Sequence, residues 1–153
     1  MQSSYIAGGY HAVTPALAIK NAHEAIEWYK EIFGATERTR LTDKEGIVLH
    51  GEIQIADSAV MVSEENPKYN ASPKTLRGNS VNLFVYVEDA ETTINKALEK
   101  GARLVMPIED HFYGDRSGRI EDPFGYIWIV STHVRDVSEE EMKKIMEGLM
   151  PAD

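Results

Sequence analysis

His111-Phe112-Tyr113-Gly114-Asp115-Arg116-Ser117-Gly118-Arg119-Ile120-Glu121-Asp122-Pro123-Phe124-Gly125-Tyr126-Ile127-Trp128-Ile129-Val130-Ser131-Thr132-His133 is the stretch whose reading decides the fold. Its centre, Asp122-Pro123-Phe124-Gly125, is a turn: Pro123 sets the φ that a turn's second position needs, Gly125 accepts φ > 0, and the Asp122 carboxylate can cap. Tyr126 to Thr132 is aromatic and β-branched and reads as a strand. Gly118 to Glu121 reads as its hairpin partner.

Outward from this hairpin the second half of the chain reads as a strand (Val81 to Val87), a helix opened by Asp89 and stopped by Gly101, and a strand from Ala102 to Ile108. The first half shows the same order. Thr14 to Ile19 alternates as a short strand, and Asn21, with Glu24 three residues on, has the form of a capping box. Ala22, Ala25, Ile26, Tyr29, Ile32 and Phe33 recur at helical spacing before Gly34. Strands follow at Ala35 to Thr42, Ile47 to Ile55 and Ala59 to Ser63. In the middle one, Ile47, Leu49, Ile53 and Ile55 are expected on one face, and Val48, His50, Glu52 and Gln54 on the other.

The two helix starts, Asn21 and Asp89, lie 68 positions apart (89 − 21), as do Thr14 and Asn82 (82 − 14) and Ser63 and Ser131 (131 − 63). A constant offset of this kind marks an internal duplication. The expected fold class is therefore α+β: two tandem β-α-β-β-β modules forming a cupped mixed sheet, with a C-terminal helix. In a single domain over 1–153, module 1 covers 10–63, a connector 64–80, module 2 81–133 and the last helix 138–149. Ser138 opens that helix, and Met142, Ile145, Met146 and Leu149 form its apolar stripe.

The bulk numbers narrow the function. The chain has 153 residues, 42% of them hydrophobic and 27% charged, which is enough to build a core without staples. There is no cysteine, hence no disulfide and no thiolate chemistry. A formal charge of −9 argues against nucleic acid, whose phosphates need a basic face, and permits a cationic ligand. No apolar run reaches membrane-spanning length and no signal-peptide pattern opens the chain, so the expectation is a cytoplasmic protein with no membrane partner. P-loop, G-x-S-x-G and dinucleotide-binding patterns are absent.

Four stretches carry a family resemblance: Gly9-Tyr10-His11-x-Val13-Thr14-Pro15, Ala25-Ile26-x-x-Tyr29-x-x-x-Phe33-Gly34-Ala35, Phe112 to Gly118, and Asp122-Pro123-Phe124-Gly125. Together with the duplication, they make the chain resemble the vicinal oxygen chelate superfamily of glyoxalase I, bleomycin-resistance proteins and extradiol dioxygenases, in its PhnB-like branch. The resemblance implies a homodimer, a cupped sheet, and in the family's metalloenzymes a divalent cation held by the first and last strand of each module. By register those positions are Thr14, Asn82, Met61 and Ile129, which are poor ligands for a hard cation. The expectation is a metal-independent protein with no cofactor.

His50 and Glu52 share a strand face that should line the cup, so they are the catalytic candidates, His50 as a base and Glu52 as its partner or a cation receptor. A solvated polar face accounts for the same pattern. An unusual metal site using His50, Glu52 and His11 is the alternative for a lyase, isomerase or dioxygenase. The ligand-binding candidates are Gln54, Met61, Asn82, Phe84, Tyr86, Ile129, Tyr113 and Arg116. The expected function is sequestering or carrying a small molecule, cationic or aromatic, in an acidic and partly aromatic cup.

Overall fold

A computed structural model describes residues 4–149. In chain order the elements are β1 (Ala16–Ile19), α1 (Ala22–Phe33), β2 (Thr36–Thr42), β3 (Val48–Ile55), β4 (Ser58–Glu64), α2 (Pro73–Leu76), β5 (Asn82–Tyr86), α3 (Ala90–Glu99), β6 (Arg103–Asp110), β7 (Asp115–Glu121), β8 (Ile127–His133) and α4 (Glu139–Leu149). They form two four-stranded mixed sheets, ordered β1-β4-β3-β2 and β5-β8-β7-β6. In each the first strand runs parallel to the last, and the remaining pairs are antiparallel. The fold is α+β, the β-α-β-β-β order occurs twice, and a C-terminal helix closes the chain.

The chain divides into two compact units. One holds β1 to β4, α1 and α2, and also takes the hairpin turn Pro123–Tyr126; the other holds the remaining elements.

The duplication is visible in the hydrogen-bond register. Ala16 faces Met61 in the first sheet and Phe84 faces Ile129 in the second. Both members of that pair are shifted by 68 positions (84 − 16; 129 − 61). Each sheet buries one face under its helix. In the first unit Ile19, Ile26, Tyr29, Ile53 and Val62 are at most 1% exposed. In the second, Ile94, Ile120, Trp128 and Val130 are at most 3% exposed.

The start of α1 departs from the expected capping box. Asn21 sits in the left-handed region (φ 74°) and its side chain makes no cap; an N-cap needs extended backbone, which this tight β1–α1 turn does not supply. The cap comes instead from β4. The Glu64 carboxylate accepts from the backbone N–H of Asn21 (2.9 Å) and Ala22 (2.8 Å). The second unit repeats the device 68 positions on, where Thr132 Oγ1 accepts from Ala90 N at 2.8 Å. There Asp89 also caps as expected, accepting from Thr92 N at 3.1 Å. Glu64→Ala leaves two helix-terminal donors unmet and removes a negative charge from a positive helix end. Its expected cost is about 1–2 kcal/mol. Urea unfolding checks this, and a loss below about 0.3 kcal/mol would contradict it.

β3 also departs from simple alternation. Thr42 pairs with Val48 and Leu41 with His50, so Leu49 is the extra residue of a bulge. Leu49 is 61% exposed, whereas Val48 is 1% exposed and joins Gly51, Ile53 and Ile55 on the core side. His50, Glu52 and Gln54 stay together on the opposite face.

The segment after β4 is not a bare loop. Ser72 caps α2 by accepting from Thr75 N, and the Glu65 carboxylate takes the Ser72 N–H (2.6 Å) and the Thr75 hydroxyl (2.7 Å). α2 faces the turn of the opening hairpin, where a Cβ on Gly125 would come within 2.8 Å of Pro73. In the same turn Phe124 packs its ring edge-on against Trp28 and Tyr29, and the Tyr126 hydroxyl donates to Ala18 O at 2.9 Å. β7 starts at Asp115, three residues before the expected Gly118. Ser138 Oγ accepts from Glu141 N at the start of α4. Met142 and Ile145 are half-buried and Met146 is exposed; the side chain of Leu149 lies outside the described residues.

Candidate functional site

Each sheet turns one face to its helix and leaves the other partly open. In the first unit the open face is centred on the rung Ala16–Met61–Glu52–Thr39. His50 Nε2 and Glu52 Oε1 are 2.8 Å apart, with side chains 40% and 18% exposed. Tyr10 first and His50 second hold the Glu52 carboxyl below the usual range, and Glu52 in turn raises the Tyr10 phenol. Tyr10 is positioned in turn by Arg38, whose guanidinium lies 4.5 Å from its ring centroid and donates to the carbonyls of Gly9 and Gly8. The segment before β1 is therefore tied to β2 through the carbonyls of Gly8 and Gly9. Gln54 Nε2 donates to Ala56 O at 3.1 Å, so part of its amide is committed to the β3–β4 turn.

In the second unit the open face carries three rungs. They are Asn82–Ile127–Glu121, Phe84–Ile129–Arg119 and Tyr86–Ser131–Ser117. Phe84 and Tyr86 are 47% and 57% exposed with ring centroids 5.1 Å apart. Ile127 and Ile129 are half-buried beside them. The Tyr86 hydroxyl donates to Asp115 Oδ2 (2.9 Å), Asp115 Oδ1 meets His133 Nδ1 (2.8 Å), and His133 Nε2 meets Asp136 Oδ1 (2.7 Å). Asp136 first and Asp115 second raise the His133 imidazole, and the Asp115 hydrogen bond raises the Tyr86 phenol. Tyr113 stacks on His111 with centroids 5.1 Å apart.

The structure brings Asn82, Phe84, Tyr86 and Ile129 onto one face, and His50, Glu52, Gln54 and Met61 onto another. Arg116 falls elsewhere. It pairs with Thr132 on the helix side of the second sheet and forks onto Asp110 at 2.6 and 3.0 Å. Two polar residues of the Phe84 face have buried atoms with no partner: Arg119, whose Nε makes no hydrogen bond, and Ser131, whose Oγ is likewise unmet. The sequence held a signal for both. Ser131 is the repeat of Ser63, and Arg119 faces Ile129 as Glu52 faces Met61, an offset of 67 (119 − 52).

The positions that hold metal in the family's metalloenzymes do not fit a divalent cation here. Thr14 lies before β1 and its hydroxyl faces the His11 carbonyl at 3.4 Å. Asn82 is neutral, Met61 offers a soft thioether and Ile129 offers nothing. Among the described residues, no three His, Asp or Glu side chains gather as a cation site, around His50 and Glu52 or elsewhere. Among those same residues, no helix is long and apolar enough to cross a membrane.

Comparison with known proteins places the chain. Residues 10–130 match the model of the Glyoxalase/Bleomycin resistance protein/Dioxygenase superfamily. This chain belongs to that superfamily. It is 32% identical over 141 residues to uncharacterized protein Mb0911c of Mycobacterium bovis, a match covering 90% of this chain and 93% of that protein. Among solved structures it resembles the PhnB protein of Bacillus cereus, with TM-score 0.63 and 18% identity over 80% of this chain and 99% of the other. It also resembles TnmS3, an antibiotic binding protein from Streptomyces sp. CB03234, with TM-score 0.60 and 15% identity over 86% and 99%. At these identities the two structural likenesses establish fold alone.

Proposed function

We propose that this protein binds a small aromatic molecule on the open face of its second sheet, and holds or carries it rather than transforming it. The observation that carries the reading is the exposed pair Phe84 and Tyr86 beside half-buried Ile127 and Ile129. Apolar and aromatic walls with a few placed polar groups are what small-molecule sites use. The proposal includes two finer points: metal independence, and a homodimer in the cytoplasm. Calorimetric titration with a panel of planar aromatic compounds tests the main point. Phe84→Ala should weaken any ligand found by about tenfold, the worth of one aromatic contact. Unchanged affinity in that variant, or no binding across the panel, would overturn it.

The His50–Glu52 hydrogen bond at 2.8 Å favours a second reading. A base oriented by a carboxylate is the arrangement of general-base catalysis. In that reading His50 removes a proton from a bound substrate and Glu52 steadies the imidazolium that forms. His50→Ala should then abolish turnover wherever turnover is found; undiminished turnover refutes the assignment.

A further inference from the structure

Arg119 and Ser131 share the open face of the second sheet with Phe84, Tyr86 and Ile129. Arg119 is the direct neighbour of Ile129 across the β7–β8 pair, and Ser131 lies one rung further along β8. The other arginines of this unit are all answered: Arg103 by Glu121, Arg116 by Asp110 and Arg135 by Glu141. Among the described residues no ion pair holds Arg119, and its Nε is buried with no partner. Ser131 is 0% exposed and its hydroxyl is also unmet. Native proteins rarely leave two buried polar groups on one face unsatisfied, and such pairs call for a ligand or an ordered water. The donors are one guanidinium fork and one hydroxyl, beside apolar and aromatic side chains. One positive charge presented as a planar fork matches a planar oxyanion of single charge. Glu121, on the next rung, is engaged by Arg103 and leaves Arg119's charge unbalanced.

We propose that the Phe84 face is an oxyanion-selective aromatic site, in which Arg119 and the Ser131 hydroxyl bind a carboxylate, or an ionised phenol or enol, borne by the ring system. The proposal rests on the reading that this face binds an aromatic ligand and adds the sign and geometry of its polar group. It assigns to the second unit the opposite charge preference from the one Glu52 would give the first.

Three probes of one shape test it: 1-naphthoate, 1-naphthalenemethanol and 1-naphthylmethylammonium. They are titrated separately into the whole protein, and backbone amide shifts at Phe84, Ile129 and Ser131 report occupancy of this face. The expected result is at least about tenfold tighter binding of naphthoate than of the alcohol, since a charge-assisted fork is being compared with a neutral hydrogen bond. Arg119→Met should bring the acid and the alcohol within about twofold of each other, and Ser131→Ala should weaken only the acid. Arg119→Lys, which keeps the charge without the fork, should fall between. Equal binding of acid and alcohol, or a preference for the ammonium, overturns the oxyanion assignment while leaving an aromatic site. No shifts with any probe overturn both readings together. Salicylate against benzoate then separates a chelated phenol from a bare carboxylate.

Discussion

Gly114→Ala is expected to destabilise the protein by about 3 kcal/mol, the sum of a strained backbone and a forced shift of a neighbour. Gly114 has φ +102°, where an L side chain is strained, and a Cβ there would collide with the backbone carbonyl of Arg135. A backbone carbonyl cannot swing aside as a side-chain tip can. The same glycine is held on every side: its N–H donates to His111 O, and its own carbonyl accepts from Val134 N and Arg135 N. The chain after β8 is thereby tied to the start of β7. At about 2–4 °C per kcal/mol for a protein of this size, the melting midpoint should fall by about 6–12 °C. A fall of less than 2 °C would show that the 111–114 turn relaxes freely. The next residue is Asp115, which receives Tyr86 and His133. The variant should therefore also shift the amide resonances of Tyr86 and His133 at temperatures where it is still folded.

Much of this architecture is legible from one number, the offset of 68. It predicts that Ala16 and Phe84, and Met61 and Ile129, occupy like places, as the register bears out, and that Glu64 and Thr132 do, as their like caps on α1 and α3 show. What escaped the sequence is of three physical kinds. The cap on α1 comes from Glu64, 43 positions beyond Asn21, so no local pattern could reveal it. The bulge at Leu49 is hidden because Ile47, Val48 and Leu49 are all apolar, and a shift of face leaves no trace in a run of one polarity. α2 did carry a local signal, Ser72 followed by Pro73 and Thr75, the N-cap and first-turn proline of a short helix; its four-residue length lies below what periodicity can detect.

The candidate sites divide the same way. Alternation alone puts Phe84, Tyr86 and Ile129 on one face, because side chains in a strand have a period of two. Arg116 lies ahead of the expected strand start at Gly118 but is on β7, where its parity sends it to the helix side. Arg119 sits three positions on and takes the other face. A cation's usefulness to a ligand thus turned on where β7 begins, which glycines at Gly114 and Gly118 both leave open. That Ser131 and the Arg119 Nε lack partners is a fact of three dimensions only.

The duplication makes a last result expected, and it separates the two units. Gly51 and Gly118 occupy like positions on β3 and β7, facing Val62 and Val130. Each lets a helix isoleucine approach the sheet, Ile26 and Ile94, themselves 68 apart (94 − 26). A Cβ on Gly118 would lie 2.7 Å from Ile94 Cδ1, with Ile108 Cγ1 at 3.1 Å and Ile108 N at 3.3 Å. Gly118→Ala should cost about 2 kcal/mol through overpacking. Ile94→Val alone should cost about 1 kcal/mol for the lost methyl. Together they should cost less than the sum by about 1 kcal/mol, since removing Cδ1 vacates the space the new methyl needs. Gly51 is different: its Cβ would meet Val62 O at 2.8 Å before Ile26 Cδ1 at 3.0 Å. Trimming Ile26 does not move a strand carbonyl. Gly51→Ala should therefore cost about 3 kcal/mol, and Ile26→Val should recover under about 0.5 kcal/mol of it. Urea unfolding of the seven proteins in the two cycles, which share the wild type, measures both couplings. Equal couplings would mean that the sheet backbone yields as readily as a side chain. Unequal ones would mean that the two copies, alike in sequence spacing, already exclude side chains for different reasons, one steric against a flexible tip and the other against the hydrogen-bonded ladder itself.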